Sequence, residues 1–382
     1  MLGTVLNLAV LSPSQSTAAT ATWNPSTAVN GLGVGDQLKP QISQPDAVVY
    51  EENFPIVTRA GSELLVDGQA FRFTGLNIFN ANSVNNSCWG NLGAGGGLDE
   101  ALTTIGPGQT VFRAWFFQPF ATSNGERDWS AFDHTLAVAR QHGVRVIATL
   151  GNFWSDCEGS AVPARYRTES WFRTGYRLQR AAGLPATYRD FAAEVASRYR
   201  NDPTIMAWQL MNEASTPSDD GSGACTRTSA ATLRAFTQDM AAMIKSIDAE
   251  HLLSLGTVGA GECGTRGADY LYVYSVPGID LCEMHDYGPA AQAIPTNAEN
   301  GLMARLAQCR SLNKPLFMGE TGMEISPRLS VEQRATALRA RLSAEFQAGV
   351  VGSLIWDWCS QVRTCFGYEV GADDPTLALL GT

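Results

Sequence analysis

The feature that most constrains the fold of this chain is a regular alternation of short apolar runs with longer amphipathic stretches. The short runs are the predicted strands Arg72–Asn77, Thr110–Trp115, Val144–Gly151, Ile205–Asn212, Leu252–Gly256, Asp280–His285, Pro315–Glu320 and Gly352–Trp356. Apolar residues recur at helical spacing in the stretches Trp129–His142, Tyr188–Tyr199, Ala230–Ile247, Glu299–Leu312 and Val331–Ala348. Such an alternation predicts repeated βα units and a parallel sheet, so the fold class is α/β and eight strands predict a (β/α)8 barrel.

A turn signal precedes the first predicted strand. Asp67-Gly68 separates two short apolar runs within SELLVDGQAFRFTGLN, which is typical of a β-hairpin. We expect this N-terminal hairpin to cover the bottom of the TIM barrel, and we predict that the barrel domain spans residues 48–382.

The first 47 residues differ from the rest in composition. Residues 1–21 contain a short apolar run and the small-x-small pattern Ala19-Thr20-Ala21, which fits a signal peptide that lacks the usual basic n-region. A merely apolar N-terminal tail is the alternative. Residues 22–47 are rich in Ser, Pro, Gly, Gln and Asn without periodicity, and we predict a linker or a strap on the barrel.

Eight cysteines favour disulfides formed in an oxidising compartment, so we expect a secreted protein. Their spacing does not match a zinc site, and we expect neither a metal nor a cofactor. Many pairings are open to eight cysteines. From the proximity of the predicted elements we expect Cys88–Cys157, Cys225–Cys263, Cys282–Cys309 and Cys359–Cys365.

The charge pattern excludes several classes of partner. The 27 basic and 37 acidic residues give a net charge of −10, and no stripe of Lys and Arg could neutralise a phosphate backbone, so nucleic acid is not expected. No stretch reaches about 18 uninterrupted apolar residues, so we expect no membrane span. We expect a monomer whose partner is its substrate.

Polar and aromatic residues gather at the ends of the predicted strands. In a (β/α)8 barrel the active site lies at the C-terminal ends of the strands, where the loops that follow them converge. The residues at these ends are Arg113 and Trp115 on the second strand, Asn212 and Glu213 on the fourth, His285 and Tyr287 on the sixth, Glu320 on the seventh and Trp356 on the eighth.

Glu213 and Glu320 are predicted to face each other across the barrel mouth. Hydrolysis of a glycosidic bond needs one protonated carboxyl to release the leaving alcohol and one ionised carboxyl to attack. Arg113 and Tyr287 should lower the pKa of Glu320, whereas burial and the nearby negative charge should raise the pKa of Glu213. A separation of about 5 to 5.5 Å would allow direct attack and retention of the anomeric configuration.

The segments RAW, WQLMNE, HDY, MGE and LIWDW, in this order, resemble glycoside hydrolase family 5 and the wider clan of barrels with glutamates on strands four and seven. The resemblance implies that Glu213 is the acid/base and Glu320 the nucleophile of a retaining β-glycoside hydrolase. It matches Arg113, Asn212, His285, Tyr287 and Trp356 to the other active-site positions of the family. The segment GNFWSDCEG after strand three is most similar to β-mannanases and β-mannosidases, which implies a β-1,4-mannan substrate. Ala214 departs from the common NEP pattern of the family.

Further rim residues are candidates for binding the sugar. Asn212 is suited to the 2-hydroxyl of the sugar, and Trp356 offers a flat apolar face. Trp115 is expected to support the site. Further candidate sugar platforms are Trp89, Trp154, Trp171 and Trp358, of which Trp154, just after the third strand, is the strongest. Substrate contacts or no role are expected for Glu158, Glu262, Glu283 and Asp286.

Three functions remain open. An endo-acting mannanase is favoured. The alternative is an exo-acting β-glycosidase or an endo-β-1,4-glucanase of the same family. A non-catalytic carbohydrate-binding barrel is a more distant alternative. The connection Asp156–Thr187 is unusually long for a βα loop and predicts a lid or wall at one side of the site. Such a wall would favour exo action.

Overall fold

The computed structural model describes residues 54–85, 87–159, 167–292, 294–359 and 367–381. The predicted signal peptide at 1–21 and the predicted linker at 22–47 lie outside the described residues.

A small antiparallel sheet opens the described chain. It contains β1 (Thr58–Ala60), β2 (Glu63–Val66) and β3 (Gln69–Phe71), which pair in this order. Asp67 and Gly68 form the turn between β2 and β3 with φ angles of 50° and 74°. Both angles lie in the left-handed region that a two-residue hairpin turn of this kind requires. The predicted hairpin is therefore confirmed.

Eight parallel strands form the barrel. They are β4 (Phe73–Leu76), β5 (Val111–Trp115), β8 (Arg145–Thr149), β9 (Ile205–Gln209), β10 (Leu252–Ser254), β11 (Cys282–Asp286), β12 (Leu316–Thr321) and β13 (Gly352–Ile355), while β6 (Thr122–Ser123) and β7 (Glu126–Arg127) form a ribbon in the loop after β5. Four strands pair in the order β10-β9-β8-β5 and four in the order β11-β12-β13-β4. Bridges from Asn77 to Arg113 and from Ser254 to Leu281 join the two sheets at both edges. The ring is closed, as the predicted TIM barrel requires.

Helices follow the barrel strands. They are α1 (Gly97–Ile105), α2 (Ser130–Gln141), α3 (Tyr176–Leu178), α4 (Tyr188–Tyr199), α5 (Ser229–Ile247), α6 (Ala268–Tyr274), α7 (Leu302–Ser311) and α8 (Val331–Ala348), with 3-10 helices at Gln118–Ala121 and Pro375–Leu379 and a π-helical turn at Trp171–Gly175. Among the described residues after β13, the eighth barrel strand, the 3-10 helix Pro375–Leu379 takes the place of an α-helix. None of the described helices has the length and apolar character needed to cross a membrane.

The predicted strands are all present, but three helices were not predicted, namely α1, α6 and the three-residue α3. α6 consists of the sequence ADYLYVY, and its Tyr and Val residues favour strands over helices. Tyr270, Val273 and Tyr274 are all buried in this helix. Packing against the barrel therefore outweighs the local propensity. α1 is a nine-residue helix that follows a glycine-rich segment, which gives a weak sequence signal.

Two apolar clusters hold the barrel together. The larger one fills the space between the strands and the surrounding helices. The smaller one joins Leu64 of the N-terminal sheet to inward residues near the starts of the strands, such as Val111, Ile147 and Phe317. The N-terminal sheet thus covers the bottom of the barrel, as predicted, and the opposite mouth is left for the polar residues.

Candidate active site

The polar residues predicted at the strand ends converge at the C-terminal mouth of the barrel. Arg113 lies on β5, His285 on β11 and Glu320 on β12, while Asn212 and Glu213 follow β9. All but Glu213 are more than nine-tenths buried, and Glu213 is partly exposed. A closed parallel barrel brings these ends together although the residues are far apart in sequence.

Two donors orient the carboxylate of Glu320. Arg113 Nη1 donates to Oε1 at 2.8 Å, and Tyr287 Oη donates to Oε2 at 2.5 Å. His285 Nδ1 lies 3.4 Å from Oε2. Each oxygen of Glu320 is therefore fixed by a charged or strongly polar donor, which suits a carboxylate that attacks in one defined direction.

Glu213 occupies a strained backbone position. Its φ is 53°, a left-handed value that costs a residue other than glycine on the order of 1 kcal/mol or more. The backbone N–H groups on either side are held in place, because Asn212 N donates to Gly151 O at 2.7 Å and Ala214 N donates to Gly256 O at 2.7 Å. Strain of this kind persists where the surroundings over-determine a functional residue.

The side chain of Glu213 has two hydrogen-bond partners. Trp154 Nε1 donates to Oε2 at 2.5 Å, and His285 Nδ1 lies 2.9 Å from Oε1. One oxygen each of Glu213 and Glu320, together with a ring nitrogen of His285, lie within 4.8 Å of one another. Carboxyls this close match the spacing of about 5 to 5.5 Å used for direct attack, and not the spacing of about 6.5 to 9.5 Å that leaves room for a water.

The expected order of the two pKa values is wrong. Burial raises the pKa of Glu213, but the hydrogen bond and charge of His285 and the Trp154 N–H outweigh it, so the pKa lies below its usual range. Burial also raises the pKa of Glu320, and here His285 and Arg113 offset only part of the effect, so the pKa lies above its usual range. The sequence predicted that Arg113 is a partner of Glu320. It did not predict that His285 interacts strongly with Glu213.

Arg113 links several side chains beneath the two carboxyls. Its Nε donates to Gln209 Oε1 at 2.8 Å, and its Nη1 donates to Asn77 Oδ1 at 2.9 Å. Its Nη2 donates to Asn212 Oδ1 at 2.5 Å. Asn212 Nδ2 in turn donates to Asn152 Oδ1 at 2.9 Å. The network fixes the amide orientation of Asn212.

Sequence reasoning did not identify three residues of this network: Asn77, Asn152 and Gln209. Gln209 interrupts the apolar run of β9, and Asn77 follows the apolar strand β4. A buried polar side chain in such a run needs a partner, so these positions carried a usable signal.

Aromatic residues line one side of the mouth. Trp356 is partly exposed and stacks on Phe79 with ring centroids 5.2 Å apart. Trp115 is 4% exposed and packs against the same two rings, so it supports the platform rather than facing a ligand. Trp154 is 42% exposed beside Glu213, and Trp89 is 55% exposed and makes an edge contact with Phe79.

Trp358 is not a platform. It is 2% exposed and belongs to the core, because a loop position alone does not show which way an indole packs. Trp171 is partly exposed and packs against Tyr188 and Phe236, and Arg167 lies 3.9 Å from the centroid of its ring. Its role as a platform stays a prediction.

The remaining acids of the region are engaged within the protein. Glu158 pairs with Arg167, and Glu262 accepts from the backbone of Gly259 at 2.9 Å. Asp286 is 3.2 Å from Arg341 Nε. Glu283 is buried within the barrel beneath His285 and does not reach the rim.

Three expected disulfides are present, namely Cys88–Cys157, Cys225–Cys263 and Cys282–Cys309. Cys359 is also disulfide-bonded, whereas Cys365 lies outside the described residues. The Cys88–Cys157 bridge ties the loop that carries Trp89 to the loop that carries Trp154.

The site favours acid–base chemistry over binding of a cation. Glu213, His285 and Glu320 form a close group of side-chain types that can bind metals. Arg113 and His285 already bring positive charge to the two carboxylates, since the surrounding acids raise the pKa of His285 to about 10 in spite of its burial. A metal ion would have to compete with both.

The chain matches a family of known enzymes over most of its length. Residues 67–362 match the family described as cellulase (glycosyl hydrolase family 5). A mannan endo-1,4-beta-mannosidase A of Podospora anserina is 27% identical over 338 residues, which cover 80% of this chain and 83% of the relative. A mannan endo-1,4-beta-mannosidase 7 of Oryza sativa subsp. japonica is also 27% identical, over 80% of this chain and 89% of the relative.

Solved structures share the fold. An endo-1,4-beta-mannanase from Rhizomucor miehei superposes with a TM-score of 0.66 at 18% identity, over 86% of this chain and 97% of that chain. A glycoside hydrolase family 5 mannosidase from the same organism superposes with a TM-score of 0.60 at 16% identity, over 86% and 96%. At these identities the likeness establishes the barrel alone.

Proposed function

Because the chain belongs to glycosyl hydrolase family 5, we propose that it hydrolyses internal β-1,4 linkages of mannan with retention of the anomeric configuration. Two curated relatives, each covering about four-fifths of this chain, are named mannan endo-1,4-beta-mannosidases. The observation that carries the proposal is the close pair Glu213 and Glu320, each held by a different set of donors.

In the first step Glu320 attacks the anomeric carbon of the sugar. The bond from that carbon to the glycosidic oxygen breaks, and Glu213 transfers its proton to this oxygen. The product is a sugar ester of Glu320 together with the released alcohol. Arg113 and Tyr287 hold the two oxygens of Glu320 in place for the attack.

In the second step Glu213 acts as a base. It takes a proton from water while the water oxygen attacks the anomeric carbon, and the ester bond to Glu320 breaks. Two displacements on opposite faces restore the original configuration. The site returns to one protonated and one ionised carboxyl.

Asn212 and the exposed tryptophans are proposed to bind the sugar. Asn212 Nδ2 carries two hydrogens and donates one to Asn152, which leaves the other to face a 2-hydroxyl group. Trp356 offers its face to the reacting sugar, while Trp154 and Trp89 are exposed on neighbouring loops.

A covalent trap tests the roles of the two glutamates. A 2-deoxy-2-fluoro β-mannoside with a good leaving group should label Glu320, and peptide mass spectrometry locates the label. Glu213→Gln should accumulate the labelled enzyme without turnover of mannan, whereas Glu324→Gln, an exposed glutamate near the rim, should behave like the unaltered protein. A label on any other residue would refute the assignment.

Product analysis tests the substrate and the mode of action. We expect mannan to be cleaved faster than cellulose, with oligosaccharides of several lengths appearing first. Early release of single mannose units would favour an exo-acting mannosidase, and preferred cleavage of cellulose would favour a glucanase. Binding of mannan without turnover would identify a carbohydrate-binding barrel.

We further propose that the protein works in an oxidising compartment outside the cell. Three described disulfides and a further bonded cysteine, Cys359, support this location, since such bonds are rare in the cytosol. Fractionation of the native source should recover the activity in the extracellular fraction.

A further inference from the structure

We propose that Glu283, a buried residue beneath the site, is a positioning residue that acts on Glu213 through His285. The inference rests on the proposed role of Glu213 as acid/base. It adds a third carboxyl to the machinery, at a position to which the sequence assigned only a substrate contact or no role.

His285 joins two carboxyls through its two ring nitrogens. Its Nε2 lies 3.2 Å from Glu283 Oε1, and its Nδ1 lies 2.9 Å from Glu213 Oε1. A carboxylate on one ring nitrogen keeps a proton on that nitrogen and stabilises the charged ring. Glu283 therefore determines which nitrogen and which charge His285 presents to Glu213.

Glu283 is held firmly and is out of reach of a substrate. Its side chain is fully buried. Gln209 Nε2 lies 2.6 and 2.7 Å from its two oxygens, and Ser254 Oγ donates to Oε2 at 2.8 Å. The residue can influence the reaction through His285, but it cannot touch the sugar.

Gly319 makes room for this contact. A Cβ atom built at Gly319 would overlap the carboxylate of Glu283 and would come within 2.8 Å of His285 Nε2. Gly319 directly precedes the nucleophile Glu320 in β12. The end of this strand therefore presents Glu320 and also leaves the space in which Glu283 and His285 meet.

Several ionisable groups face His285 and Glu283. Burial lowers the pKa of His285, but the charge of Glu320 and the hydrogen bonds to Glu213 and Glu283 outweigh it and raise the pKa to about 10. Arg113 on β5 pairs with Glu320, and its charge also acts on Glu213. Tyr270, Tyr274 and Tyr287 also adjoin the cluster, and the charge of Asp357 acts on Tyr287.

A count of charges shows what Glu283 contributes. Arg113 and His285 bring two positive charges, and Glu283 brings one negative charge. A neutral cluster therefore leaves one negative charge and one proton to be shared by Glu213 and Glu320. Without the charge of Glu283, neutrality would require both Glu213 and Glu320 to be ionised, and the acid would have no proton to give. A net charge in such a buried site is costly.

The positive and negative charges of the cluster also stay balanced during the reaction. When Glu320 becomes an ester it loses its charge, and in the same step Glu213 gains one by giving its proton to the leaving oxygen. Arg113 and His285 thus face Glu283 and one ionised catalytic carboxyl at each stage.

His285 can also move the proton to the residue that needs it. Its Nδ1 lies 2.9 Å from Glu213 and 3.4 Å from Glu320. The charged ring can give its Nδ1 proton to Glu213 and then accept the proton of Glu320 on the same nitrogen. The ring ends unchanged, Glu213 is protonated and Glu320 is ionised, while Glu283 keeps the Nε2 proton in place.

The pH dependence of Glu283→Gln tests the proposal. This variant keeps the size of the side chain and removes its charge, so the Glu213–His285 pair should lose its catalytic proton at lower pH. We expect the basic limb of the kcat/KM profile to move down by about one pH unit or more. At neutral pH, the loss of kcat/KM in Glu283→Gln should be smaller with an activated aryl glycoside than with mannan, because the leaving group of the aryl glycoside needs no proton.

Two matched variants separate charge from structure. Ser254→Ala removes one hydrogen bond to the same carboxylate, and Glu283→Asp keeps the charge on a shorter side chain. Both should keep the basic limb near its original position. An equal loss of activity at every pH in Glu283→Gln, or the same shift in Glu283→Gln and Glu283→Asp, would overturn the proposal.

A substrate-free measurement keeps the test independent of the proposed function. The chain has four histidines, so the ring nitrogens of His285 can be assigned by 15N NMR with the help of His285→Asn. In the unaltered protein we expect His285 to stay protonated on both nitrogens beyond pH 8. A neutral ring at pH 7 would refute the proposal even if Glu283→Gln does not fold, whatever the sugar proves to be.

Discussion

Glu345 is a carboxyl whose burial should be visible in the stability of the whole protein. It lies on α8, its side chain is fully buried, and it faces Ser353 and Thr321 on the barrel strands. Burial raises its pKa to about 8. Ser353 opposes the rise, while the charge of Asp286 adds to it. The perturbation we consider is Glu345→Gln, which keeps the shape and is neutral at every pH.

The sign and size of the effect follow from the two pKa values. In the unfolded chain the carboxyl ionises near 4.5, so between about pH 4.5 and pH 8 the folded state holds a proton that the unfolded state has lost. Stability therefore falls as pH rises through this window and levels off above pH 8. A shift from 4.5 to about 8 corresponds to at most roughly 5 kcal/mol, at about 1.4 kcal/mol per unit.

Urea unfolding at several pH values measures this difference. At pH 4.5 Glu345→Gln and the unaltered protein should have similar free energies of unfolding. By pH 8.5 the variant should be more stable by about 2 to 5 kcal/mol. Glu324→Gln, at an exposed position, is the matched control and should show no such divergence. Parallel curves for Glu345→Gln and the unaltered protein across the window would refute the reasoning.

Two further predictions concern Trp154 and the loop disulfide. Trp154→Phe keeps an aromatic face but removes the N–H that donates to Glu213, so the pKa of Glu213 should rise and the basic limb of kcat/KM should move to higher pH, opposite to Glu283→Gln. An unmoved limb would contradict this. Replacing both Cys88 and Cys157 by Ser opens a loop closed over 69 residues and should lower the free energy of unfolding by about 4 kcal/mol in the chain-entropy estimate, measured by urea unfolding. Opening Cys225–Cys263, which spans 38 residues, should cost about 0.5 kcal/mol less, and a larger cost there would contradict the estimate.

The barrel could be predicted because its signals are local. Each strand is a short apolar run bounded by loops, and each major helix repeats apolar residues at helical spacing, so neither needs knowledge of distant contacts. The hairpin at Asp67-Gly68 was equally local, since the turn depends on two residues. α6 was missed because its Tyr and Val residues are helical only when packed against the barrel.

The candidate site could be predicted as a set of strand ends but not as a network. Glu213 and Glu320 end strands four and seven, and a parallel barrel places all such ends at one mouth. The contact of Glu283 with Gln209 joins residues 74 positions apart on different strands, and no local pattern encodes it. Trp358 and Trp154 both looked like loop residues, yet one is core and the other borders Glu213.

The sequence by itself determined the architecture and identified Glu213 and Glu320 as the candidate catalytic carboxyls, because hydrophobic periodicity and strand-end position are properties of short segments. Only the tertiary structure decided how the protons are distributed among Glu213, His285 and Glu320. Their pKa values depend on burial and on charges a few ångströms away, and those distances exist only after strands from opposite sides of the barrel have closed into one ring.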